Sequence, residues 1–401
     1  MIDSKKKRQK VRRSEAEDLS LTKINQKKKK QKLGKSQAIP SPSLTEIDLV
    51  KAMKKQNDVS MFLAGKVIST LARNSNLVFS PASMNAVLTM EAATSQSDCV
   101  KKDIMTFLKS ASIDELNAVF REITAVLLPD GSMSGGPKIA TVNGVWIERS
   151  RRFSPSCKDL LVNFFKAEFA QVDFRSKAEE IRMEVNKWAS HHTNGLIEDL
   201  LPLGSVTRLT TQIYGNALYF KGVWQHKFNK SLTKYNDFYL LNGKYVRVPF
   251  MTSGQRQYIE AYDGFKVLEL PYRQGSDDDT NRKFSMYFYL PDKKDGLHNL
   301  RVIVGAFGIP KFKIEFGFEA SQVFGDWKHE MPLYHKACVE IDEEGTEAVA
   351  VSARVGYCTS NGIVPKRLDF VADHPFLFLI REDKTGTVLF VGQIFNPCSP
   401  A

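Results

Sequence analysis

The chain has 401 residues, 42% of them hydrophobic and 10% aromatic, with a net charge of +12 and five cysteines. That is ample material for a large core, and no run approaches the roughly 18 apolar residues needed to cross a bilayer. The charge is uneven: residues 1 to 44 hold 14 Lys or Arg against 4 Asp or Glu, so the remainder is close to neutral.

In chain order, the basic tail comes first. Lys5, Lys6, Lys7, Arg8, Lys10, Arg12 and Arg13 form one cluster, and Lys27, Lys28, Lys29 and Lys30 head a second. Few apolar residues lie between them, so self-repulsion predicts disorder over residues 1–44. A bipartite nuclear-localisation signal, a nucleic-acid patch and a solubilising extension are the three readings of such clusters. The charged start offers no apolar run for a secretory signal, which predicts an intracellular protein of nucleus and cytoplasm.

Residues 45–401 read as one domain. From Glu46 the pattern turns helical, with Val59, Phe62, Leu63, Val67 and Leu71 at spacings of three and four. Ser80-Pro81-Ala82-Ser83 then opens a second helix through Met84 to Met90. His191-His192 and Gly195 mark a helix end, and the two imidazoles, about 100° apart on a helix, read as a solvated pair rather than metal ligands.

Short runs rich in β-branched and aromatic residues follow: Ile213 to Phe220, Val267 to Leu270, Phe284 to Leu290, Ala337 to Ile341, Phe376 to Ile380 and Val388 to Phe395. These predict strands, the last two joined as a hairpin by Asp383 to Gly386. Helices gather early and strands late without βαβ alternation, so the expected class is α+β with largely antiparallel sheets.

No GxSxG elbow, phosphate loop or HExxH helix is present, so nothing points to an enzyme, a metal or a cofactor. Cys99, Cys157, Cys338, Cys358 and Cys398 are odd in number and widely spaced, which argues against a disulfide scaffold or zinc site and for a reducing compartment.

The informative run is Glu343-Glu344-Gly345-Thr346-Glu347-Ala348-Val349-Ala350-Val351-Ser352-Ala353. Small and β-branched residues after a pivot glycine can lie exposed and can also enter a sheet. Period two would turn Ala348, Ala350 and Ser352 inward with Thr346, and Val349 and Val351 outward. By composition alone an ordinary exposed strand and loop fits as well.

EEGTEAVAVSA resembles the hinge of the serpin family. So do NLVFSPASMNAVL, VNKWASHHTNGLIEDLLP, NALYFKGVW, IPKFKIEFGFEAS and HKACVEIDEEGTEA, in order over residues 45–401. The closing DFVADHPFLFLI with VLFVGQI looks like plant serpins in particular. The resemblance implies a monomeric inhibitor that traps a serine or papain-like cysteine protease in a covalent complex after cleavage of a reactive-centre loop, about residues 343–367. It implies a polar shutter of Ser80, Ser83, Asn216 and His335, and a breach of Trp224, Lys311 and Glu343 with an ion pair between the last two. The scissile bond falls sixteen residues past Glu343, at Thr359-Ser360, flanked by Tyr357 and Cys358.

The chain departs from the family pattern in three places. Arg354 would face inward in an inserted strand, Val349 and Val351 replace the usual alanines, and the chain is short near residues 300–308, where serpins carry a further helix. The alternative function is a non-inhibitory serpin-fold binding protein, nuclear and associated with nucleic acid or an import receptor through the tail.

Overall fold

Helix α1 (Glu46–Leu71) forms where apolar residues first recur every three or four positions, and Val59, Leu63 and Val67 are buried along one stripe as expected. Phe62, expected on that stripe, is exposed instead. It stands about 100° from Leu63 around the helix, and its ring lies 5.7 Å from each of the Lys66 and Lys109 ammonium groups. The computed structural model describes residues 46–275, 282–292, 304–320, 333–345 and 368–399. The chain divides into two units, Met1–Ser43 and Leu44–Ala401, and all the described residues belong to the second.

Strand β1 (Leu77–Phe79) leads into Ser80, whose Oγ accepts a hydrogen bond from Ser83 N at 3.1 Å and caps helix α2 (Pro81–Thr94). Pro81 costs that helix nothing, because a first-turn N–H has no partner inside the helix. Residues on nearly every side of α2 are buried, which makes it a core helix. Ser97 and Ser112 cap α3 (Asp98–Phe107) and α4 (Ile113–Glu122) in the same way.

Strand β2 (Lys138–Glu148), the short α5 (Pro155–Asp159), β3 (Ala167–Val172), α6 (Phe174–His192) and β4 (Gln212–Lys221) follow. Beyond β4 the described regular elements are strands, apart from one short 3-10 turn at Lys230–Leu232. They are β5 (Lys234–Tyr239), β6 (Tyr245–Met251), β7 (Tyr258–Tyr262), β8 (Phe265–Pro271), β9 (Phe284–Pro291), β10 (Val304–Pro310) and β11 (Phe312–Glu319). The last four are β12 (Tyr334–Ile341), β13 (Leu368–Val371), β14 (Phe376–Glu382) and β15 (Val388–Ile394).

The strands make four sheets, ordered β1-β15-β14-β9-β8-β7, β13-β10-β6-β5, β3-β2-β4 and β11-β12. Only β2–β3 and β10–β13 are parallel among the described pairs, so the largely antiparallel α+β class holds. The β14–β15 hairpin turns where expected, with the Glu382 carboxylate accepting from the amides of Lys384 and Thr385 and with Gly386 at φ +73°. Strand β10 was not expected, because Gly305 and Gly308 interrupt its apolar run. It forms because β6 pairs with one edge and β13 with the other.

Strands β4 and β12 belong to different sheets, yet α2 lies against both: Ser83 Oγ donates to Asn216 O on β4, and Ser80 N donates to His335 Nε2 on β12. Their C-terminal ends meet through the single bridge Val223–Gly345. Below that bridge runs a seam between two strands that point the same way, wide enough at its middle for a small cavity lined by Asn216 and His335.

Candidate functional site

The top of the seam is a pinched turn. After β12, Asp342 N donates to Gly345 O (2.9 Å) and Gly345 N returns to Asp342 O (3.3 Å), while Glu344 N donates to Asp342 Oδ1 (2.9 Å). Gly345 has φ +141°, and a Cβ there would stand 2.1 Å from Gly222 O, so only glycine fits. Across the seam Trp224 N donates to Glu344 O at 2.9 Å and Phe228 N to Glu343 O at 2.8 Å. Trp224 Nε1 reaches Asp342 O at 2.9 Å while its ring stacks on Tyr272, 4.7 Å between centroids.

Two buried glutamates hold this turn. Glu343 accepts from Lys311 Nζ (2.8 Å) and from Thr233 Oγ1 (2.7 Å). Glu344 is salt-bridged to Lys227 Nζ (2.7 Å) and Lys230 Nζ (3.3 Å). Burial by itself would raise both carboxyls, but the lysine and hydroxyl partners outweigh it and hold both below the usual carboxylate range. Trp224, Lys311 and Glu343, expected together at the breach, are brought together here. The partners of Glu344 escaped the sequence reading, although Lys227 and Lys230 in VWQHKFNK were the signal.

Ser80, Ser83, Asn216 and His335 also converge, around the first turn of α2. Asn216 Nδ2 donates to Asn143 Oδ1 at 2.8 Å and Thr141 Oγ1 at 3.2 Å on β2, whereas its Oδ1 is buried without a partner. His335 is enclosed by the Phe79 and Phe318 rings, and burial lowers its pKa to about 4. The ring is therefore neutral, with Nε2 as acceptor and the proton on Nδ1. Asn143, which donates to Phe165 O at 2.7 Å and anchors Asn216, is a member the sequence did not mark.

Other candidates separate from this site. His191 and His192 end α6, where Gly195 takes φ +79° as expected; His192 is less solvated than expected, pairing with Glu168 at 3.0 Å and packing on Trp188. Cys99, Cys157, Cys338 and Cys398 are free thiols, and burial pushes the Cys338 thiol up to about 11, well away from the thiolate form. Among the described residues no group of three His, Cys, Asp or Glu could hold a metal ion, and no helix is long and apolar enough to cross a membrane.

The Serpin (serine protease inhibitor) family model matches residues 54–330 and 331–397. The chain belongs to the serpin family. It is 58% identical to the "Probable non-inhibitory serpin-Z5" of Arabidopsis thaliana, covering 99% of this chain and 100% of the relative. To Serpin-Z2 of the same plant it is 57% identical over 99% of this chain and 98% of that one. The solved Arabidopsis AtSerpin1, in its "Native Stressed Conformation", shares 43% identity and a TM-score of 0.76 over 89% of this chain and 100% of its own.

The expected bait and most of the expected hinge lie outside the described residues: Thr346, Glu347, Ala348, Val349, Ala350, Arg354, Tyr357, Cys358, Thr359 and Ser360. So do both basic clusters, Lys5 to Arg13 and Lys27 to Lys32, and Cys358 among the thiols. Of the short stretch near 300–308, the part from Val304 is β10.

Proposed function

We propose that this serpin is a single-use trap for a serine or papain-like cysteine endopeptidase. The observation that carries the reading is the seam: two strands pointing the same way, in separate sheets, joined at the top by a turn that hands the chain on at Gly345. The target's own Ser or Cys attacks the Thr359 carbonyl, Ser360 leaves as the new amino terminus, and an acyl-enzyme forms. Thr346 and the residues after it then enter the seam antiparallel to both neighbours, and serpin loop insertion is a known instance of such strand addition. Fourteen residues, Thr346 to Thr359, span roughly 46 Å as a strand. The acylated protease is carried along and distorted before it can deacylate.

Cys358-Thr359-Ser360 offers no Arg or Lys at the cleaved bond, which favours papain-like or elastase-like targets over trypsin-like ones. The tail directs the serpin to the nucleus through an import receptor, with a cytoplasmic share, and the serpin acts as a monomer. The test is incubation with a panel of serine and papain-like proteases followed by denaturing electrophoresis. A detergent-stable complex formed by the wild type, and replaced by simple cleavage in Thr346→Arg, supports the trap. Cleavage without complex across the panel overturns it.

Two observations favour a second reading, a non-inhibitory binding protein: the name of the relative at 58% identity, and the presence of Arg354, a charge that period two would turn inward in an inserted strand. In that reading residues 1–44 engage nucleic acid. Binding to duplex DNA that weakens steeply with salt and disappears on deleting residues 1–44 supports it, and no binding at low salt rules it out.

A further inference from the structure

The foot of the seam opens into a cavity of about 340 Å³, the liquid volume of about ten waters. Leu333, Tyr214, Ser205 and Glu91 line it. Glu91 sits on α2, only 7% exposed, and its carboxyl has no hydrogen-bond or ion-pair partner among the described residues. Burial, with nothing to offset it, raises its pKa to about 7. Ser205 Oγ is buried there without a partner too. The lining mixes Leu200, Leu201 and Leu333 with Thr207, Thr210 and Gln212, and a buried carboxyl beside an unpartnered hydroxyl offers acceptors that a cation with several N–H donors would satisfy.

The chain carries such a group at a fixed distance. The Val223–Gly345 bridge, if the inserted loop continued it antiparallel along β4, would set Ala350 beside Leu218, Ser352 beside Asn216 and Arg354 beside Tyr214. The Asp342–Gly345 bridge, continued in the same way along β12, would set the same three beside Ala337, His335 and Leu333. The two registers agree, and a strand continued in them would set Arg354 between Tyr214 and Leu333, both walls of the cavity. Residues directly opposite in antiparallel strands share a face. Tyr214 faces α2, where its hydroxyl bonds Thr94 at 2.8 Å, so Arg354 would project toward Glu91. The same register would set the Ser352 hydroxyl against the orphaned Asn216 Oδ1.

We propose that this cavity is the receptor for Arg354 of the inserted loop, with the Glu91 carboxylate as its counter-ion and Ser205 Oγ as a further acceptor. The proposal rests on the insertion reading above. It removes the main objection to that reading, because a guanidinium that enters with a partner waiting no longer stalls the strand. It also assigns Glu91 a role in the cleaved state that it lacks in the uncleaved one.

The test is a double-mutant cycle on the full chain. Wild type, Glu91→Gln, Arg354→Ala and the double variant are melted before and after nicking between residues 355 and 360, in one fixed guanidinium concentration. The wild type is expected to gain tens of degrees. Glu91→Gln, isosteric and neutral, is expected to melt no lower than wild type when intact and to lose about 5 °C or more of the gain, which Arg354→Ala restores in the double variant. Additive effects, or a full gain in Glu91→Gln, overturn the pair and leave insertion standing. A gain in Arg354→Ala but none in wild type means the cavity rejects the arginine, which also overturns the pair. No gain in either removes the insertion reading and this proposal with it.

Discussion

Lys311 Nζ lies 2.8 Å from Glu343 Oε2, and that ion pair ties the start of β11 to the turn where the chain leaves β12. Glu343 is buried, while Lys311 still reaches solvent, so the pair acts as a clamp anchored on its acidic side. Lys311→Met is expected to cost about 1–2 kcal/mol in the intact protein, reduced from the fully buried case by the solvent around the ammonium. The urea midpoint checks this. Glu343→Gln in the same chain should recover part of the loss, because the orphaned charge is then gone.

Gly345 tolerates no side chain in the uncleaved form. Gly345→Ala places a methyl 2.1 Å from Gly222 O at φ +141°, and it should lower stability by about 1–3 kcal/mol or force the turn away from Val223. Loss of amide protection at Trp224 and Phe228, whose N–H groups bond Glu344 O and Glu343 O, would report the second outcome.

His335 and Glu91 give opposite pH dependences in nearly the same window. His335, lowered from 6.5 to about 4, contributes stability that is whole above pH 6.5 and drains away as pH falls toward 4. Glu91, raised from 4.5 to about 7, contributes stability that is whole below pH 4.5 and is lost as pH rises toward 7. Each is worth on the order of 3 kcal/mol, so the two slopes largely cancel in the intact wild type. Glu91→Gln should expose the histidine arm as a steady fall in the urea midpoint from pH 6.5 to 4. An equally flat profile in that variant contradicts the pairing of windows.

Much of this was legible in the sequence wherever a local rule governs. The α1 stripe, the Ser80-Pro81 helix start and the β14–β15 turn follow from period, capping and turn chemistry, and Gly345 stood out as the pivot of a run that can be loop or strand. What stayed hidden depends on tertiary neighbours. Strand β10 exists because two edges recruit a glycine-broken run, and Glu344 is buried because Lys227 and Lys230 cover it from the segment after Trp224. Glu91 closes an apolar run in α2, but a helix buried all round has no polar face to mark which charge is enclosed. Period two predicts an inward Arg354 in an inserted strand, whereas the carboxyl proposed as its partner had no signal in the sequence, since Glu91 is remote from it.

The most direct test of the central claim is the wild-type melt at pH 7 before and after a single nick near Thr359. Insertion of the freed strand between β4 and β12 predicts a rise of tens of degrees with both fragments still associated. An unchanged melting temperature in a fully nicked sample would contradict it and leave a serpin fold whose seam does not take up its loop.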